Sequence, residues 1–427
     1  VPRWLFTVLL YLLLPLVLLR LYLRGRKAPA YRLRWRERLG VSAPSSKLAQ
    51  QPIWLHAVSV GETLAAQPLV VAIRQQWPNR PILITTMTPT GSERVQALWG
   101  EAVHHVYAPY DYPHAISRFL NAWQPAALVI METELWPNTL AAAKARGIPT
   151  LLANARLSEK SAKGYARAGG LTHSLMHSLS MVAAQDHATA TRFQDLGLPA
   201  EKVRVTGSVK FDLSLPDDLP QQAKQLLGQW RLQEREVWVA ASTHEGEEVH
   251  VLSAHQKLLQ SSPDALLILV PRHPERFQQV ANVVLQHSFA MARRSQQQVV
   301  DSQTQVLLAD TMGELLLWLA MANVAFVGGS LLPVGGHNTL EPLGLSVPTL
   351  TGPHYMNFQV INDALINAGA LAVVQNSDEL ADAVLQLFND PALVQQRCLA
   401  AEQVMSANRG AVQRQLALLQ QLLEPVA

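Results

Sequence analysis

Hydrophobic positions divide the chain into three regimes. Trp4 to Leu19 is almost wholly apolar (WLFTVLLYLLLPLVLL) and runs into Arg20, Arg24, Arg26 and Lys27. With Arg20 reaching back along its aliphatic stem, the run approaches the roughly 20 residues that cross a bilayer as a helix. Pro15 is tolerated in such a helix. In the following YRLRWRERLG, Tyr31, Trp35 and Leu39 recur every four residues, which predicts a helix with one apolar face among arginines. That pattern suits either an anionic membrane surface or packing on a core with a solvated basic face.

From Pro52 onward, short β-rich runs alternate with helix-length stretches. PIWLHAV, PILITT, VHHVYA, ALVIM, PTLLAN, MVAA and VRVTG read as strands, with stretches such as TLAAQPLVVAIRQQW and PNTLAAAKARG between them. Alternation of this kind predicts an α/β fold with a parallel sheet covered by helices. LSLPDDLPQQ, residues 213–222, is rich in Pro and Asp and reads as a linker. A second series follows, with VWVAA, LLILV, FAMAR, VLLA, VAFVGG, the PTL at 348–350 and ALAVV. The expected organisation is an anchor with its basic flank at 1–27 and a Rossmann-like domain at 28–212. After the linker comes a second Rossmann-like domain at 223–427, with the terminal helices included. Two doubly wound sheets facing a cleft would bind ligands at the carboxyl ends of their strands.

Charge sharpens the first regime. The first 38 residues hold nine of the 35 Lys and Arg and one of the 32 Asp and Glu, which leaves 26 against 31 in the rest, a net of −5. The basic excess therefore belongs to the N-terminal segment, and nucleic-acid binding by the body is not expected. Arg3 stands alone before the apolar run and eight basic residues follow it by Arg38, so the positive-inside rule places the body in the cytoplasm. No Ala-x-Ala site follows the run, so it reads as a retained single-pass anchor rather than a cleaved leader, with an interfacial helix as the alternative. The single cysteine, Cys398, permits no intrachain disulfide and no cysteine zinc site.

Candidate chemistry lies just after strand ends. In HAVSVGET, Ser59-x-x-Glu62 is a capping box, and its Glu62 is also a candidate general base at a helix start. METELWPN places Glu132 and Glu134 at a sheet edge, two apart in an extended segment, so that only one would face the cleft; the alternative is acidic residues favouring the helix that Pro137 opens. GSVKFD contributes Lys210, a surface lysine or a partner for an anionic substrate group. In the second half, ASTHEGEE contains Ser242-x-x-Glu245, which resembles another capping box. VPRHPERF offers Arg272 and His273 to a phosphate or base. DTMGELLL carries Thr311, Met312, Gly313 and Glu314, and GGHNTLEP carries Asn338, Thr339, Leu340 and Glu341 after a Gly-rich loop. Glycines before a helix start let backbone N–H groups approach an anion. None of these loops is a GxGxxG or Walker sequence, and no Asp-x-Asp pair suggests a nucleotide-bound metal. His104 and His105 are adjacent on a strand and point to opposite faces, a poor metal pair.

Taken in order, HAVSVGE, METELWPN, GSVKFD, ASTHEGEE, PRHPERF, DTMGEL, FVGGSL, GGHNTLEP and GPHYMNF resemble the lipid A Kdo (3-deoxy-D-manno-octulosonic acid) transferases. The resemblance implies a GT-B fold with a single N-terminal membrane-anchor helix on the cell inner membrane and a cytoplasmic catalytic body. It implies inverting transfer of Kdo from CMP-Kdo to lipid IV(A), the tetra-acylated lipid A precursor, in lipopolysaccharide core biosynthesis. No metal and no cofactor would be needed, CMP-Kdo being the donor substrate. By position, Glu62 resembles the general base, and Glu132 and Lys210 resemble transition-state stabilisers. Arg272, His273, Thr311–Glu314 and Asn338–Glu341 resemble CMP-binding segments, with Thr339 and Pro342 in a stretch that varies among relatives. The partners implied are CMP-Kdo, lipid IV(A) and membrane lipids. Two other readings are a GT-B transferase using a different nucleotide sugar and a nucleotide-sugar epimerase, for which the anchor has no purpose. A third is a catalytically silent membrane scaffold.

Overall fold

The computed structural model describes residues 2–44, 48, 50–213 and 215–424. The chain forms two compact units, Val1–Asp212 with Asn408–Ala427, and Leu213–Ala407.

In the first unit, seven strands form one parallel sheet. They are β1 (Ile53–His56), β2 (Ile82–Thr86), β3 (His104–Tyr107), β4 (Ala127–Met131), β5 (Thr150–Ala155), β6 (Met181–Ala184) and β7 (Val203–Val205), in the order β3-β2-β1-β4-β5-β6-β7. β1, β2, β4 and β5 are buried at every position, because helices cover both faces. Ile53, Leu55 and Val129 face one core, and Trp54, Leu128 and Ile130 face the other. Strand order reverses between β1 and β4, the switch point beside which ligands of such sheets bind.

The second unit repeats the plan. Its strands are β8 (Val237–Thr243), β9 (Leu266–Pro271), β10 (Met291–Arg293), β11 (Val306–Leu308), β12 (Val324–Val327), β13 (Thr349–Thr351) and β14 (Leu371–Val373), ordered β10-β11-β9-β8-β12-β13-β14 and all parallel. Trp238 and Phe326 fill one core, and Val239, Leu307 and Trp318 fill the other. Truncating such a side chain as Phe326 to Ala costs about 3–5 kcal/mol. Two parallel-sheet α/β units and an N-terminal apolar helix are the fold class that the pattern and the resemblance predict.

That N-terminal helix spans Arg3–Lys27, and its stretch Arg3–Arg26 is long and apolar enough to cross a membrane. One face lies along the first unit. Thr7 Oγ1 donates to Asn138 Oδ1 at 2.9 Å, and the Tyr112 hydroxyl donates to the Leu10 carbonyl at 3.1 Å. The opposite face carries Leu5, Leu9, Leu12, Leu16, Leu19 and Leu23, all exposed, with Leu12 71 % exposed.

Three expectations change. First, YRLRWRERLG is not an α-helix but two 3-10 turns, Pro29–Arg32 and Glu37–Leu39. Tertiary contacts override its four-residue period. Arg38 is buried, its Nη1 donates to the Met87 carbonyl at 3.0 Å, and its guanidinium lies 4.1 Å from the Tyr107 ring centroid. Glu37 accepts the Tyr107 N–H at 2.8 Å. Second, the proposed linker 213–222 contains the start of a helix, Leu219–Gln229, with Pro220 in its first turn, where no N–H is needed. Ser214 of that linker lies outside the described residues. Third, the last helix, Ala411–Leu423, packs on the first unit rather than the second. Leu416, Leu418 and Leu419 enter the core of Ile53 and Val129, and Gln415 Oε1 accepts the Asn154 N–H at 3.1 Å.

Candidate functional site

In the first unit, the turn after β1 enters helix Val60–Gln76, capped by Ser59. The capping box is real but modified. The Glu62 N–H donates to Ser59 Oγ at 3.3 Å, Ser59 Oγ donates to Glu62 Oε1 at 2.8 Å, and the Val58 N–H donates to Oε2 at 2.8 Å. Glu62 is 8 % exposed. Burial pushes its carboxyl up to about 7, against those hydrogen bonds and with help from the Glu134 and Glu132 carboxylates. An ionised carboxylate has about four lone-pair sites, so two donors leave room for a third proton. A carboxyl that titrates near neutrality suits a general base.

Glu132 follows β4 in the left-handed region, with φ 57°. A non-glycine residue there costs roughly 1–3 kcal/mol and persists only where the surroundings hold it. Arg156 Nη2 lies 3.4 Å from Glu132 Oε2. Glu134 accepts the Trp136 indole N–H at 3.0 Å, and the Trp136 ring meets His56 edge-on at 4.6 Å. Burial holds His56 down to about 3, so it stays neutral. Lys210 sits on the turn Val209–Phe211 after β7. Burial lowers its ammonium, Glu132 opposes that shift, and Arg156 adds to it. Glu62, Glu132, Glu134, Arg156 and Lys210 thus form one electrostatic cluster at the carboxyl edge of the sheet.

Asn154 was not evident from sequence, yet it positions Lys210. It sits at φ 51° in a β5 irregularity, fully buried, and its Oδ1 accepts the Val209 N–H at 3.2 Å. Asparagine tolerates the left-handed region better than most residues; that is the signal that PTLLAN contained.

In the second unit, a cationic and histidine cluster forms where the loops after β8, β9 and β12 meet. His244 stacks on His337 with Nε2 atoms 2.8 Å apart, and His273 meets His244 edge-on at 5.0 Å. Burial lowers both paired rings, His337 to about 4, and Arg272 presses both down further. Burial raises the Glu341 carboxyl, while Asn338 and Arg272 oppose that shift. The Asn338 amide donates to Glu341 at 3.1 Å. The structure therefore brings Arg272, His273, Asn338 and Glu341 together. Thr339 and Leu340 are fully buried, and the Thr339 hydroxyl is committed to Asn362 Oδ1 at 2.6 Å, so neither side chain faces this cluster.

Thr311–Glu314 follows β11, the neighbour of β9. Glu314 is clasped by Arg294 at 2.6 Å and accepts the Thr311 hydroxyl, and the Arg294 contact lowers its carboxyl. Gly313 has φ 89°, a conformation that favours glycine, and Met312 is exposed.

Ser242-x-x-Glu245 forms no capping box. Ser242 is left-handed at φ 57°, the helix runs Glu247–Leu258, and Gly246 is its N-cap. The buried Glu247 works instead, accepting the N–H groups of His244, Gly329, Ser330 and Leu331. Glu247, not Glu245, is the functional acid of this segment, and the run of acids before an apolar helix face was its signal in the sequence.

A family model described as 3-deoxy-D-manno-octulosonic-acid transferase (kdotransferase) matches residues 33–213. A 3-deoxy-D-manno-octulosonic acid transferase of Haemophilus influenzae is 44 % identical over 423 residues, 99 % of either chain. A protein of the same description from Bordetella pertussis is 36 % identical over 437 residues, again 99 % of each. Among solved structures, a putative UDP-N-acetylglucosamine 2-epimerase from Listeria monocytogenes aligns with a TM-score of 0.58 over 89 % of this chain and 98 % of its own. At 12 % identity that likeness is one of fold.

Proposed function

Because the chain belongs to the 3-deoxy-D-manno-octulosonic acid transferase family, we propose that it transfers Kdo from CMP-Kdo to lipid IV(A), with inversion, in lipopolysaccharide core biosynthesis. The observation that carries this reading is Glu62, a buried carboxyl held near 7 beside Glu132, Glu134 and Lys210. On this reading Glu62 takes the proton of the acceptor sugar hydroxyl. The freed oxygen attacks the Kdo anomeric carbon on the face opposite CMP. The bond from that carbon to the phosphate oxygen breaks, and CMP leaves with the electron pair. General-base help of this kind contributes about 10²–10⁴-fold.

Lys210, steadied by Glu132, supplies positive charge on the acceptor side for the Kdo carboxylate. Arg272 and the histidines beside it meet the CMP phosphate, with backbone N–H groups of the Thr311–Glu314 turn, and no metal ion is required. Arg294 neutralises Glu314, which removes a repulsion that a bare carboxylate would impose on the phosphate.

The apolar helix attaches the protein to the inner membrane, with the body on the cytoplasmic side. The exposed leucine face and the arginines that follow support attachment. Packing of Thr7 and Leu10 on the body favours a helix lying in the interface over one that leaves the body behind.

The test is incubation with lipid IV(A) and a CMP-Kdo-generating system, followed by mass spectrometry of the lipid. A product heavier by one or more Kdo units is expected. Unchanged lipid IV(A) would overturn the reading.

A further inference from the structure

The first unit holds a cavity of about 670 Å³, within the roughly 300–1,000 Å³ typical of ligand sites. Phe6, Leu135, Trp136, Tyr165 and Leu175 are among its walls. Its carboxylate, Asp111, is already committed: Oδ1 accepts the Thr139 N–H and hydroxyl at 2.7 and 2.8 Å, and Oδ2 accepts the Asn138 N–H at 3.0 Å. The interior therefore offers apolar surface and no free charge.

Two neighbours say what such a cavity would hold. On one side, Trp136 joins it to the carboxylate cluster, because its indole N–H donates to Glu134, and Glu134 acts electrostatically on both Tyr165 and Glu62. On the other side, Phe6 belongs to the apolar helix whose outer face is a leucine stripe. A hydrocarbon chain passing from lipid into the cavity would stay in apolar surroundings, and its head would then lie beside Glu62. A soluble polar sugar would gain nothing from these walls.

We propose that this cavity is an acyl-chain subsite: it takes one fatty-acyl tail of the lipid acceptor and so sets the acceptor sugar's hydroxyl at Glu62. The inference rests on the acceptor reading above and adds how the acceptor is held. Each methylene buried there would strengthen binding by about fourfold.

Gly164 lines the cavity on helix Glu159–Ala168, and among the described residues a Cβ there meets no heavy atom within 4 Å beyond its chain neighbours and its own helix backbone. Gly164→Phe therefore fills the space without a backbone clash and removes a helix-interior glycine, which favours folding. Gly164→Ala adds only a methyl group. The experiment measures kcat/KM of the full-length protein with lipid IV(A), with partly deacylated lipid and with the tail-free disaccharide bisphosphate. Wild type and Gly164→Ala are expected to lose efficiency at least tenfold as tails are removed. Gly164→Phe is expected to lose at least tenfold on lipid IV(A) and to match wild type within twofold on the tail-free sugar. Equal use of all acceptors by wild type would overturn the subsite, and so would an equal loss by Gly164→Phe on every acceptor. A wild type that glycosylates none of them would overturn the functional reading itself.

Discussion

The Glu247 carboxylate holds the backbone of Ser330: Oε1 accepts the Ser330 N–H at 2.8 Å and that of Leu331 at 2.9 Å. Oε2 accepts from His244 at 3.0 Å and Gly329 at 2.6 Å. One fully buried side chain thus ties the loop after β8 to the loop after β12, the two loops that present His244 and His337. Glu247→Ala would orphan four N–H groups, each worth about 1–3 kcal/mol when left unsatisfied, so a loss of at least about 3 kcal/mol is expected. Glu247→Gln keeps the shape and one good acceptor and should fall between. Urea unfolding gives the stability. Titration with CMP should show weaker binding in both variants even where they are fully folded, and unaltered CMP affinity would deny Glu247 a positioning role.

Glu62 predicts both a loss and a pH profile. Glu62→Gln should lower transfer by at least about 100-fold while CMP-Kdo still binds. In the wild type, kcat/KM should rise with pH through about 7 as the carboxyl ionises, and level off above. The Ser59 hydroxyl favours the ionised form, so Ser59→Ala should move the midpoint to higher pH. It also removes a helix cap, at about 1 kcal/mol. A midpoint that ignored Ser59 would assign the titration to another group.

Acid stability should follow the buried imidazoles. Burial depresses His56 and His105 to about 3, and His255 and His337 to about 4, from 6.5. Groups depressed on folding contribute stability above 6.5, and that contribution is lost as pH falls towards 3 because the unfolded chain binds protons first. The Nε2 atoms of His337 and His244 lie 2.8 Å apart, so protonating both rings removes any hydrogen bond between them and sets like charges together. Thermal stability should fall steeply as pH drops from 6.5 to about 3. His337→Gln should flatten that fall by about 2 kcal/mol, discounted from the full shift because the ring is partly solvated. An identical pH dependence in the variant would refute the assignment.

Much of this architecture was legible because parallel strands buried on both faces read as continuous apolar runs, as IWLH and LLILVP do. Motifs after those runs landed at strand ends for the same reason. What stayed hidden depends on contacts distant in sequence. The four-residue period of Tyr31, Trp35 and Leu39 predicts a helix, but Arg38 is drawn under Tyr107 and the local period loses. Ala411–Leu423 is amphipathic, and amphipathicity does not say which sheet a helix covers. Glu247 and Asn154 look like ordinary polar residues until the loops they hold are in place. Thr339, by contrast, sits inside a recognisable motif yet spends its hydroxyl on Asn362.

The leucine face of the N-terminal helix should govern membrane attachment. Leu12 and Leu16 are 71 % and 60 % exposed. Changing both to Glu puts two charges where lipid would lie and should release the protein from anionic phospholipid vesicles in a flotation assay. Activity on detergent-dispersed acceptor should persist. Continued flotation would show that the exposed arginines from Arg20 to Arg36 suffice.

Asp212 stands where the chain leaves the first unit, and it grips the chain where it returns. Its two oxygens accept the Gly410 and Val412 N–H groups, both at 2.6 Å, at the start of helix Ala411–Leu423. From that helix, Gln415 holds the Asn154 N–H, and Asn154 holds the Val209 N–H beside Lys210. A carboxylate bonded to helix-start N–H groups is worth about 1–2 kcal/mol. Asp212→Ala should lower stability by that amount and free the last helix to open locally. Hydrogen exchange should then quicken in 411–423 and, through Gln415 and Asn154, in 208–211. Because Lys210 rides on the second segment, transfer should fall several-fold with CMP affinity unchanged. Asp212→Asn, which keeps one acceptor oxygen, should recover part of both effects. Faster exchange confined to 411–423, with transfer intact, would break the proposed link between the returning helix and Lys210.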